Sequence, residues 1–124
     1  MSATLSFRNA ILNHMLGGKS YTLPRIIFLS LHENDPAEAG DYELSGNGYQ
    51  RQPVEWGISQ DARIVNSNEI DFPDLPAAIV THVGVWDTGR DGNLLWSGLL
   101  VRAETIAAGN TLRFRAGEIQ AGLD

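Results

Sequence analysis

The groups in this chain that could do acid–base or metal chemistry are three histidines and fifteen carboxylates; there is no cysteine. His14, His32 and His82 lie far apart, and none shares the H-x-x-x-H spacing that sets two imidazoles on one helical face. Glu33, Asp35, Glu38, Asp41 and Glu43 are near enough in sequence to cup a calcium ion. They depart from the D-x-D-x-D-G order, and Ala37 and Ala39 interrupt them. A solvated acidic loop is the plainer reading, and contact with a basic partner is its functional alternative. Ser59 sits in Gly57-Ile58-Ser59-Gln60-Asp61, where Asp61 replaces the second glycine of a nucleophile elbow. Gly46-Asn47-Gly48 precedes an extended run and reads as a turn, since a phosphate cradle would open a helix. Asp71 and Asp74 would make a glycosidase pair only by accident of folding. The expectation is therefore no enzyme, with no catalytic residue, no metal and no cofactor.

The elements that must position these groups are bounded by size and composition. With 124 residues and 43% apolar content, the chain can bury one sizeable core. Thirteen glycines and five prolines point to many turns between short strands. Without cysteine there is no disulfide and no thiolate metal site. A net charge of −6 argues against nucleic acid as a partner, because neutralising phosphates needs clustered Lys and Arg. Arg90, Arg102, Arg113 and Arg115 lie in the last third, but acids separate them. Arg8 and Asn9 interrupt the apolar residues of the first sixteen, so neither a signal peptide nor a membrane span is expected.

Residues 6–16 form the one clear helix pattern. Phe7, Ile11 and Met15 recur every four residues, Leu12 and Leu16 widen the stripe, and Gly17-Gly18 stops it. Ser6 is the expected N-cap. Residues 25–31 read as a strand covered on both faces, by an opposing sheet and by the helix. A long, polar, exposed loop follows over residues 33–48. Residues 49–56 are a weak strand, placed at an edge by Pro53. Two short strands flank a polar turn within residues 64–72. Residues 80–86 and 93–101 are joined as a hairpin, and residues 111–115 pair with 118–123. Leu112 and Phe114 alternate with Arg113 and Arg115, giving one buried and one wet face. The fold class is all-β: a single-domain, jelly-roll-like β-sandwich over residues 1–124. Residues 1–18 are a helical arm and residues 19–124 the β body.

In that layout several pieces recur in one order. They are Asn9 to His14 with Leu16-Gly17-Gly18, Phe28 to His32 with Asp35-Pro36, and Glu43 to Gln52. Thr81 to Asp87, Gly92 to Gly98 and Ala108 to Phe114 with Ala116-Gly117 complete the series. The chain resembles the small tail-fibre-like structural proteins of tailed double-stranded DNA bacteriophages. That resemblance implies a virion protein, present in the host cytoplasm during assembly, with a compact β-fold. It implies homo-oligomers, guessed as a trimer, attached to other virion proteins such as capsid or tail components. There is no repetitive shaft, which favours a compact module of tail-fibre or capsid-decorating type. The residues expected at an interface are Phe7, Ile11, Tyr49, Arg51 and Trp56. Of Trp86 and Trp96, one is expected in the core and the other at a subunit contact. The alternative is a receptor- or carbohydrate-binding module at a tail tip, with Tyr42, Tyr49 and Trp56 lining a concave patch.

Overall fold

The computed structural model describes residues 1–123. In chain order its elements are β1 (Ser2–Ala3), α1 (Leu5–Met15), β2 (Ile27–His32), β3 (Gln52–Val54) and β4 (Arg63–Val65). β5 (Ile70–Phe72), β6 (Ala78–Trp86), β7 (Leu94–Ile106), β8 (Leu112–Phe114) and β9 (Gln120–Gly122) follow. Five antiparallel strands form the main sheet in the order β1-β7-β6-β2-β3, and β4-β9 and β5-β8 form two small ribbons. The fold is sandwich-like and all-β with an N-terminal helix, as the sequence pattern implied.

Strand alternation explains the core. Leu29 and Leu31 face inward opposite Val85 and Val83 in the β2·β6 register. They meet Ile70, Phe72, Leu112 and Phe114 from the ribbons in one apolar cluster. Phe72 and Phe114 pack edge to face at 6.2 Å, a favoured geometry for aromatic quadrupoles. Pro53 lies on the edge strand β3, where its missing N–H costs no ladder bond. Arg113 and Arg115 point outward while Leu112 and Phe114 are buried, as alternation requires.

Several expectations need correction. The helix starts one residue earlier, and Thr4, not Ser6, is its N-cap: the Thr4 hydroxyl accepts the Phe7 N–H at 3.4 Å. Thr4 is buried and its hydroxyl also donates to the Leu94 carbonyl at 2.8 Å, which ties the helix start to the sheet. The helix does not cover β2. It touches the sheet through Phe7, whose ring meets Trp96 of β7 at 4.7 Å. The second face of β2 is covered by the loop after it, whose Asp41 carbonyl meets His32 and whose Gly40 lies against the Trp86 ring; Pro36 and Leu44 of that loop are buried as well, so it is only partly exposed. Residues 111–115 and 118–123 do not pair as a hairpin: β8 pairs with β5, and β9 with β4.

Asn66 is the physical reason for that last split. It is 1% exposed, and its amide donates to the carbonyls of Asn68 (2.7 Å) and Arg115 (3.1 Å). Its side-chain oxygen accepts the N–H groups of Gly117 (3.1 Å) and Ile119 (2.9 Å). One side chain thus takes backbone groups that a β8–β9 hairpin would otherwise use, and both donors and both acceptor sites are filled. Asn66→Ala strands the Ile119 N–H and the Asn68 carbonyl, each at about 1–3 kcal/mol, while the Gly117 N–H and the Arg115 carbonyl keep backbone partners. The expected result is a loss of about 2 kcal/mol or more, read from the urea midpoint; a change below about 0.5 kcal/mol would contradict this role.

Candidate functional site

The densest polar arrangement lies on the outer face of β2 and β6, where register puts Phe28, Ser30 and His32 beside Trp86, Gly84 and His82. Ser30 and His32 are 0% exposed. His32 Nδ1 is 2.7 Å from the Asp41 carbonyl, which can only accept, so Nδ1 carries the proton. Nε2 then accepts the Ser30 hydroxyl at 2.6 Å, and Ser30 Oγ in turn accepts the Trp86 indole N–H at 2.7 Å. A serine beside a histidine suggests a nucleophile, but this pair is sealed from any substrate. Gly84 makes the packing possible: a Cβ there would lie 2.7 Å from Ser30 Oγ and 2.9 Å from Leu94 Cδ1. Gly40, at φ +82, leaves room for the Trp86 ring in the same way.

Arg51 continues the network. Its Nε and Nη2 each hold Glu43 at 2.9 Å, and its Nη1 donates to the carbonyls of Thr88 (3.1 Å) and Asp91 (2.8 Å). Its guanidinium carbon stands 3.6 Å from the centroid of the Trp86 ring, a cation–π contact worth about 2 kcal/mol when desolvated. Tyr49 donates its hydroxyl to Glu43 at 2.6 Å and accepts the Leu31 N–H at 3.1 Å. Burial and the neighbouring Glu43 charge push the Tyr49 phenol far above its ordinary value. Burial alone would raise the Glu43 carboxyl, but hydrogen bonds from Arg51 and Tyr49 outweigh it and hold it below the usual range. No buried side-chain nitrogen or oxygen among the described residues lacks a partner.

A cavity of about 550 Å³ beside this network is lined by Glu43, Tyr49, Gln50, Arg51, Arg90 and Asp91 among others. Neither Tyr42 nor Trp56 lines it, so the three rings weighed for glycan stacking do not share one concave patch there. Among the described residues no three His, Asp or Glu side chains converge as metal ligands. His14 accepts the Tyr21 N–H, and His82 pairs with the Thr81 hydroxyl. Asp71 is held by Arg113 at 2.6 Å.

The residues expected at an interface separate into two groups. Tyr49 and Arg51 direct their polar atoms inward, as above. Trp56 is half-buried against its own core. Phe7 and Ile11 are half-buried on α1, no residue of which is buried. Trp86 is in the core, and Trp96 is half-buried under Phe7 of its own helix. Large exposed apolar side chains gather elsewhere: Leu5, Leu12, Met15, Leu16, Leu23 and Ile26 in the first 26 residues, and Ile79, Leu99 and Val101 on β6 and β7.

The sequence pattern of one family, described as Podophage GP4 fiber I protein gp80, matches residues 1–122. The chain belongs to this family. It is a phage fibre protein, a structural component of the virion. No curated protein matches the chain. No helix among the described residues of this fibre protein is long and apolar enough to cross a membrane.

Sequence reading missed Ser30, His32 and Gly84 as a unit. A glycine between Val83 and Val85 in a strong strand was the available signal, because it marks close approach of another group.

Two outcomes follow from this network. Glu43→Ala leaves Arg51 buried and unpaired, and is expected to cost about 3 kcal/mol. A double-mutant cycle with Arg51→Ala measures the coupling, and values that simply add would refute it. Burial lowers the His32 pKa below its ordinary 6.5, and Glu43 is held below 4.5. Between folded and unfolded values the unfolded chain binds more protons, so both groups make stability full above those ordinary values and weaker in acid. The urea midpoint is expected to fall as pH drops below 6.5 and faster below 4.5; a midpoint flat from pH 7 to pH 4 would count against it.

Proposed function

We propose that this fibre protein acts by attachment rather than catalysis: it self-associates and docks on the phage particle through the helical arm. The supporting observation is the exposure of the arm's apolar side chains, with Leu12 at 56%, Met15 at 70% and Leu16 at 83%, and of Leu23 just after it at 78%. An eleven-residue helix with no buried side chain gains little from its own subunit, since most helical stability comes from packing. Contiguous apolar patches rimmed by polar residues mark interaction sites. The exposed Leu99 and Val101 in the middle of β7 supply a second contact zone. Its place is the virion, with the host cytoplasm as the site of synthesis before assembly. The compact body without a repetitive shaft fits a module clipped onto a larger assembly, of tail-fibre or capsid-decorating type. The trimer expected from the resemblance is one closed arrangement of such copies.

Met15→Asp with Leu16→Asp tests the arm. Both side chains are exposed, so the melting temperature is expected to stay within a few degrees. Two lost apolar anchors are expected to cut the copies per purified particle at least about tenfold. Wild-type content measured by mass spectrometry would show that attachment does not use the arm.

A further inference from the structure

Charge is divided very unevenly along the chain. Residues 1–32 contain Arg8, Lys19 and Arg25 and no acid, whereas the remainder holds six arginines and all fifteen acids. Among the described residues the ion pairs are Arg51–Glu43, Arg113–Glu69 and Arg113–Asp71, so Arg8, Lys19 and Arg25 pair with none of those acids. Arg8, Lys19 and Arg25 are all exposed, so this stretch carries free positive charge among the described residues alongside its exposed apolar side chains.

The loop after β2 is the complementary surface. Glu33, Asp35, Glu38 and Asp41 are exposed on it, and Tyr42 stands among them 60% exposed at φ +62. The loop is held in one shape. The Pro36 carbonyl accepts the N–H groups of Gly40 and Asp41, the Tyr42 carbonyl accepts that of Glu33 at 3.1 Å, and Asp41 is tied to buried His32. A rigid loop that presents an aromatic ring loses little freedom on docking, and tyrosine is enriched among anchoring residues. Within one chain this loop sits at the start of the helix, where Glu38 accepts the Leu5 N–H at 2.7 Å. The helix is about 16 Å long, and Lys19, whose N–H the Asn13 carbonyl accepts at 2.9 Å, sits at its far end. The loop and Lys19 thus mark opposite ends of one element.

We propose that the apolar, cationic end of the arm in one copy receives the acidic loop of a second copy, with Tyr42 seated among Leu12, Met15 and Leu16. Lys19 and Arg25 then face Glu33 and Asp41 of the neighbour. Because the two surfaces differ, the contact is head-to-tail and either closes a ring or continues as a filament. This deepens the self-association proposed above and rests on it.

Sedimentation of the purified full chain tests the contact, with circular dichroism to confirm folding. Wild type is expected to associate, and more weakly as ionic strength rises from 0.05 to 0.5 M, because exposed charges are screened. Lys19→Glu with Arg25→Glu, and separately Glu33→Lys with Asp41→Lys, are each expected to be monomeric, and the four changes combined in one chain to associate again. Tyr42→Ala is expected to raise the dissociation constant at least about tenfold. Wild type that stays monomeric, single-surface reversals that leave the mass unchanged, or no recovery in the combined variant would each overturn the proposal. Particle content separates the two readings: reversed arms that keep their mass in solution but drop out of particles mean the arm docks on a different virion protein.

Discussion

A guanidinium held between a carboxylate and an indole ring fixes the outer face of this sheet. Arg51 enters from the segment before the edge strand and binds both oxygens of Glu43, so the long loop after β2 is pinned back over that strand. Its remaining donors reach two carbonyls of the loop joining β6 and β7, so three separate segments share one cation. Beneath it Trp86 passes the constraint to Ser30, and through Ser30 to His32 and the carbonyl of Asp41. Such a network is stable only when every member is satisfied, because an unpaired buried charge costs more than the whole pair contributes.

Asn66 plays the matching part on the opposite layer. The strands there are three residues long, too short for their own ladders to hold them in place. A buried amide that bonds four backbone groups joins β4, β5 and the segment between β8 and β9 into one layer. The two polar centres bracket the apolar cluster, and both convert loop backbone into fixed structure. The small sandwich can thus keep long connections without leaving backbone groups unpaired.

Outside these two polar centres, large apolar side chains stand exposed in two places. The helical arm contributes an apolar stripe that its own body barely covers, and β7 contributes Leu99 and Val101 where its register slips against β6. Register slips of this kind re-aim side chains away from the sheet. These exposed side chains are the surfaces on which the self-association and attachment proposed for this fibre protein rest.

The sequence determined those features whose cause is local. Strand alternation told which of Leu112, Arg113, Phe114 and Arg115 turn inward, Gly17-Gly18 marked the end of the helix, Pro53 placed the edge strand, and the ordered motifs pointed to the phage family. Only the tertiary structure decided which distant segments meet. It moved the helix from β2 to the end of β7, because buried Thr4 bonds the Leu94 carbonyl and anchors the helix start there. It split the expected last hairpin, because Asn66 reaches across about fifty residues to take the backbone groups first. It also brought Tyr49 and Arg51 together on one carboxylate, Glu43. Side-chain pairings over such separations leave no periodic trace in the chain, since their energy depends on where the backbone has already been carried.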